Sequence, residues 1–114
     1  MLYDQDMNDQ DPNIFTDPTR KPVAAKDVAE GSSMVGAFGD DRAVVVKKDG
    51  KVMAMSAICT HAGCTVATND GDKTLDCPCH GSRFNLDGSV KEGPASKPLA
   101  TIEVEEKDGW VVKK

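Results

Sequence analysis

The chain has 114 residues, a mass of 12.1 kDa and a formal net charge of −5, with 39% hydrophobic and 29% charged residues. That is the size of one domain, and the acidic balance argues against a nucleic-acid-binding role. No run approaches the roughly 18 apolar residues of a membrane-spanning helix, and the first 22 residues lack the pattern of a secretory signal.

Residues 1–19 hold Asp4, Asp6, Asp9, Asp11 and Asp17 and no Lys or Arg, so the rest of the chain is formally neutral. Residues 1–21 therefore read as an acidic, loosely ordered arm ahead of a single domain at 22–114. Leu2, Tyr3, Ile14 and Phe15 are the arm residues able to dock on the body.

Val23-Ala24-Ala25 suggests a short first strand. Asp27 is placed to cap a helical turn at Val28–Glu30 that Gly31 ends. Ser33–Phe38 and Arg42–Lys47 read as strands. Lys48-Asp49-Gly50-Lys51 is a hairpin turn, because Asp-Gly tolerates positive φ, and Val52–Ile58 continues as a strand. Residues 59–98 are rich in Gly, Pro, Cys, Asp and Ser and read as loops around short strands. Leu99–Glu105 alternates again, with Ile102 and Val104 on one face. Lys107-Asp108-Gly109 turns the chain into a last strand at Trp110–Val112. No amphipathic helix of about ten residues is predicted. The fold class is all-β, a strand-rich base with a loop-rich insert at about 57–98. Only five aromatic residues are present, two of them within the first fifteen positions, so a metal or disulfide staple is expected.

All four cysteines and both histidines fall within 22 consecutive residues, in two boxes. The first is Cys59-Thr60-His61-Ala62-Gly63-Cys64 and the second Cys77-Pro78-Cys79-His80-Gly81-Ser82. Fifteen residues separate His61 from Cys77. Two thiolates and two imidazoles are a zinc donor set. The usual zinc pattern, however, groups Cys with Cys and His with His, whereas each box here mixes them. Cys64 and Cys79 are left over, and they read as occupying equivalent places in the two loops.

The boxes resemble those of the Rieske iron–sulfur family, whose Cys-x-His and Cys-x-x-His pattern is met in full. The resemblance extends over roughly residues 22–113. It implies a Rieske-type fold of antiparallel sheets with an inserted cluster-binding subdomain, and one [2Fe-2S] cluster per chain. By resemblance, Cys59 and Cys77 ligate one iron, and His61 and His80 the other. Exchanging two thiolates for neutral imidazoles raises the potential of such a cluster to roughly −150 to +300 mV, from about −400 mV. The resemblance also implies a Cys64–Cys79 disulfide, as in the cytochrome bc-type and stand-alone bacterial branch. That pairing implies an oxidising, extracytoplasmic location.

Ser82 is expected to donate its hydroxyl to a bridging sulfide. Phe84 stands where quinol-oxidising relatives usually have Tyr. The missing hydrogen bond, about 0.5–1.5 kcal/mol, corresponds to roughly 20–65 mV for one electron. A potential in the middle of the Rieske range is expected. Ala62 stands where those relatives often carry a larger aliphatic residue. Gly93–Leu99 resembles the family's proline loop, with Ser96 replacing a second proline. Gly63 and Gly81 are expected to let loop backbone approach the cluster. Lys91 and Arg83 are read as solvated.

The expected function is one-electron transfer, as a redox subunit or carrier rather than a self-contained enzyme. Its expected place is a stand-alone carrier, or the soluble head or small subunit of a quinol-oxidising or arsenite-oxidase-like respiratory oxidoreductase. Phe84 and Ala62 favour a carrier or small subunit over direct quinol oxidation. The expected partner is a cytochrome or respiratory-complex subunit, with quinol a further candidate through His80. The outer ring nitrogens of the ligand histidines are expected to couple proton to electron uptake. Two alternatives are a ferredoxin feeding a ring-hydroxylating oxygenase, against which Cys64 and Cys79 argue, and a structural zinc module.

Overall fold

The computed structural model describes residues 12–60, 63–79 and 81–114. The base is a five-stranded antiparallel sheet. In chain order its strands are β1 (Phe15–Thr16), β2 (Ser33–Phe38), β3 (Asp41–Lys48) and β4 (Lys51–Ser56), completed by β9 (Thr101–Ile102) beside β4. A hairpin of β10 (Val104–Lys107) and β11 (Trp110–Lys113) packs on it. Between β4 and β9 the insert forms a four-stranded meander: β5 (Ala67–Asn69), β6 (Thr74–Asp76), β7 (Arg83–Asn85) and β8 (Val90–Glu92). The all-β expectation, a base carrying an insert, is met.

Both Asp-Gly turns form as the sequence predicts. Asp49 and Gly50 have φ of 54° and 76°, and Asp108 and Gly109 have 53° and 85°. Two consecutive left-handed residues match the twist of the flanking strands. They set the registers Lys48↔Lys51 and Lys107↔Trp110.

Strand β3 shows why the base and the insert hold together. Ala43, Val44, Val45 and Val46 are all buried, although successive residues of a strand face opposite sides. Ala43 and Val45 enter a core with Phe15, Phe38, Ala54 and Val111. Val44 and Val46 enter a second core with Met55, Leu75, Phe84, Cys59 and Cys77. The sheet is thus covered on one side by the hairpin layer and on the other by the insert. Each fully buried valine contributes about 1.5–3 kcal/mol.

The arm is not loose throughout. Ile14 and Phe15 are buried, and the Phe15 ring packs against Phe38 at a centroid distance of 5.4 Å. Strand β1 pairs with β2 (Thr16↔Ala37), and Ile14 bridges to Val112. Residues 14–16 therefore belong to the domain, because their apolar side chains complete the base core. Gly36 makes room for them: a Cβ there would lie 2.1 Å from the Thr16 carbonyl oxygen and 2.8 Å from the Phe15 ring. Leu2 and Tyr3 lie outside the described residues.

Two local expectations fail. Val23–Ala25 is no strand, and only isolated bridges, Thr16↔Pro22 and Ala24↔Trp110, form around it. Pro22 has no N–H to extend a ladder, and Ala25 already opens a 3₁₀ turn, Ala25–Asp27. That turn replaces the one expected at Val28–Glu30. Val28 is extended (φ −89°, ψ 113°) because its side chain is drawn into the base core. Asp27 ends the turn instead of capping it. Near the C-terminus, the alternating run 99–105 breaks at Glu103, where the chain passes from β9 to β10. Ile102 and Val104 still both pack on the base core.

Candidate metal centre

The two boxes fold into loops with one hydrogen-bond frame. In the first, the Cys59 amide donates to the Cys64 carbonyl (2.7 Å) and the Gly63 amide to the Cys59 carbonyl (2.9 Å). In the second, the Cys77 amide donates to the Ser82 carbonyl (2.7 Å) and the Gly81 amide to the Cys77 carbonyl (3.1 Å). Gly63 and Gly81 have φ of 73° and 80°, which a β-carbon disfavours. Cys59 therefore matches Cys77, and Cys64 matches Ser82. This corrects the expectation that Cys64 and Cys79 occupy equivalent places: Cys64 lies five residues past its leading cysteine and Cys79 only two.

Cys64 and Cys79 nonetheless form the expected disulfide, with a Cα–Cα distance of 6.5 Å. Cys59 and Cys77 are reduced and 2% exposed each. The sulfurs of Cys64, Cys77 and Cys79 lie within 4.8 Å of one another. Two of these belong to the disulfide, so Cys77 alone of the three keeps a thiol for a metal. His61, Ala62 and His80 lie outside the described residues.

The surroundings fit an iron–sulfur group. Cys59 and Cys77 sit in one apolar core with Leu75, Phe84 and Ala95. As thiolates they would need a cationic partner in that apolar setting, which iron would provide. Ser82 is fully buried, and its Oγ accepts from the Ala95 amide (3.0 Å), leaving the hydroxyl proton to donate. Gly93–Leu99 is fastened to both boxes, since Thr60 Oγ1 also donates to the Lys97 carbonyl (2.7 Å). These bonds supply fixation that Ser96, in place of a proline, does not. Phe84 is fully buried opposite Leu75 and brings no hydroxyl.

Lys91 is exposed as expected, but Arg83 is not simply solvated. Its side chain is 24% exposed and bonds Asp72 Oδ2 (2.5 Å), Asp76 Oδ1 (3.2 Å) and Thr74 Oγ1 (3.2 Å). Burial pushes the Asp76 pKa up, but hydrogen bonds from Asn69, Thr74 and Arg83 more than offset this, and the net direction is down. Sequence reasoning missed this network. Its one visible sign is that Asp76 and Arg83 carry opposite charges just outside the two ends of the second box.

The family model for the Rieske [2Fe-2S] domain matches residues 20–103. This chain belongs to the Rieske family. As a Rieske domain it binds one [2Fe-2S] cluster. It is 40% identical over 88 residues to the cytochrome b6-f complex iron-sulfur subunit of Chlorobaculum tepidum, covering 77% of this chain and 49% of that protein. The chain spans about half the length of the curated relatives it matches. Among solved structures, it resembles the plasma membrane Rieske protein of Synechocystis PCC 6803 with a TM-score of 0.65 and 29% identity, covering 73% of this chain and 86% of that one. It also resembles a ferredoxin of Sphingomonas yanoikuyae B1 with a TM-score of 0.63 and 27% identity, covering 80% and 92% respectively. Among the described residues, no helix is long and apolar enough to cross a membrane.

Proposed function

We propose that this Rieske domain is a one-electron carrier, either alone or as the head or small subunit of a respiratory oxidoreductase. Cys59 and Cys77 would hold one iron and His61 and His80 the other, and the Ser82 hydroxyl would donate to the cluster's sulfur. The observation that carries this reading is the pair of matched loops. Each presents one buried, reduced cysteine at the same place, while the two remaining cysteines are joined to each other. The cluster-binding part spans about 57–98 within a domain at 22–114 to which residues 14–16 also contribute.

When bound, the cluster supplies the one-electron chemistry. The chain's residues hold and shield it. Cys59 and Cys77 bind from an apolar core that excludes water. The Ser82 hydroxyl stabilises negative charge on sulfur. Thr60 and Ser82 anchor Gly93–Leu99, and a fixed cover limits rearrangement on electron transfer. His61 and His80 each have one ring nitrogen for iron and one that exchanges a proton.

The partner is a cytochrome or another subunit of a respiratory complex, as the names of the b6-f relatives suggest. The disulfide supports an extracytoplasmic location. Phe84 and Ala62 favour a protein partner over direct quinol oxidation. The second reading is a ferredoxin that feeds an oxygenase; the likeness to the Sphingomonas ferredoxin supports a ferredoxin, and the disulfide weighs against it.

The test is a dithionite titration of the purified protein followed by visible absorbance and EPR. A brown protein with the low average g of a mixed nitrogen–sulfur cluster is expected. Loss of that signal in His61→Ser and His80→Ser variants would support the ligand set. A colourless protein carrying one zinc would overturn the proposal.

A further inference from the structure

We infer that Asp76 and Arg83 are positioning residues for the second box, and that their opposite charges set the potential of the group it holds. The inference rests on Cys77 being a ligand. Asp76 immediately precedes Cys77, Arg83 immediately follows Ser82, and the two are cross-strand partners at the ends of β6 and β7. They form the rung directly below the Cys77–Ser82 backbone bond that closes the loop.

The rung is held by side chains as well as backbone. Asp76 Oδ1 accepts from Arg83 Nε (3.2 Å) and from Thr74 Oγ1 (2.7 Å), and Asp76 Oδ2 accepts from Asn69 Nδ2 (2.8 Å). Thr74 is fully buried, and Arg83 Nη2 reaches both its Oγ1 and Asp72. Both carboxylate oxygens are thus occupied, and the guanidinium is fixed at Nε and Nη2.

The matching frame of the two boxes supplies a control within the molecule. The residues corresponding to Asp76 and Arg83 in the first box are Ile58 and Thr65, which also bridge each other. Arg42, from the base sheet, donates to Thr65 Oγ1. The same loop therefore closes on an apolar residue and a hydroxyl. Folding a box does not require an ion pair within its own stem, yet the second box carries one a single peptide away from a ligand. Charges fixed in a partly buried place act on a nearby site with little screening.

A negative charge opposes an added electron and a positive charge favours it. Asp76→Asn removes the former and raises the midpoint potential, while Arg83→Gln removes the latter and lowers it. A purely structural clasp would not produce opposite signs.

The experiment is a redox titration of the cluster-loaded protein, followed by EPR, for the parent chain, Asp76→Asn, Arg83→Gln and Arg83→Lys. Loss of the visible absorbance on heating gives a second readout. Opposite shifts for Asp76→Asn and Arg83→Gln are expected. Arg83→Lys should keep the parent potential but lose the cluster faster, because an ammonium keeps the charge without the guanidinium fork. If Arg83→Gln does not retain the cluster, a raised potential in Asp76→Asn beside an unmoved one in Arg83→Lys still supports the inference. Shifts of the same sign, or two unmoved potentials in brown, folded variants, overturn it. A colourless parent overturns the cluster assignment itself and this inference with it, and so is told apart from a brown parent whose variants fail.

Discussion

The Ala95 amide donates to Ser82 Oγ across 3.0 Å, joining the cover segment to the second box inside the core. Both groups are buried, so each depends on the other. Ser82→Ala leaves the amide without its acceptor, at a cost of about 1–3 kcal/mol. It also removes the hydroxyl donor and should lower the midpoint potential by roughly 20–65 mV. A thermal melt and a redox titration on one sample check both effects. An unchanged potential would show that the hydroxyl does not face the cluster.

Phe84→Tyr tests the converse. A hydroxyl would be added in the core that holds Cys59 and Cys77, and the potential should rise by roughly 20–65 mV. The Phe84 ring is fully buried, so the added oxygen must find a partner or destabilise the fold. A lower melting temperature with no rise in potential would refute the expectation.

The Cys64–Cys79 bridge spans a sequence separation of 15 residues. Closing a loop of that size stabilises the folded state by about 3 kcal/mol. Replacing both cysteines by serine should lower the denaturant midpoint accordingly and speed cluster loss. Equal unfolding curves for the two proteins would count against a stabilising role.

Gly36→Ala should reach the base core through β1. Its methyl group would meet the Thr16 carbonyl at 2.1 Å, so β1 must move and Phe15 must leave its place against Phe38. A loss of about 1–3 kcal/mol is expected. The cluster potential, set in the other core, should stay as it is.

Acid should destabilise the fold through Asp17 and Asp87. The pKa of Asp17 is lowered by the Thr19 hydroxyl and the Thr19 and Lys21 amides, and that of Asp87 by the Ser89 hydroxyl and amide. A depressed carboxylate pKa contributes stability above its unfolded value and loses it as pH falls through the folded one. Asp17→Asn and Asp87→Asn should therefore flatten the acid limb of a stability profile by lowering stability near neutrality, and the variants should converge with the parent at low pH. Parallel limbs in all three proteins would contradict this.

The candidate ligands were readable before the fold was known, because ligand chemistry restricts residue type and spacing at once. The cysteines and histidines of the two boxes could be picked out without coordinates, and the Cys64–Cys79 pairing followed from the family resemblance. Arg83 was misread as solvated because its partners, Asp72, Thr74 and Asp76, reach it only through strand pairing. The equivalence of Cys64 with Ser82 was likewise hidden. It is a match of backbone frame, and residue type pointed instead to the other cysteine.

The two Asp-Gly hairpins, the strand at Ser33–Phe38 and the paired boxes come from interactions among near neighbours, where φ preference and donor chemistry act directly. Long-range packing decided the rest. Phe15 left a polar arm for the core because Gly36 opened a place for it. The run Ala43–Val46 became buried on both faces because the insert folded back over the sheet. Thr60 met Lys97, and Ser82 met Ala95, across stretches of chain whose approach depends on the register of the intervening strands. Local preference does not encode those distances. They are fixed when two cores close on a shared sheet and bury apolar area that no single segment could cover.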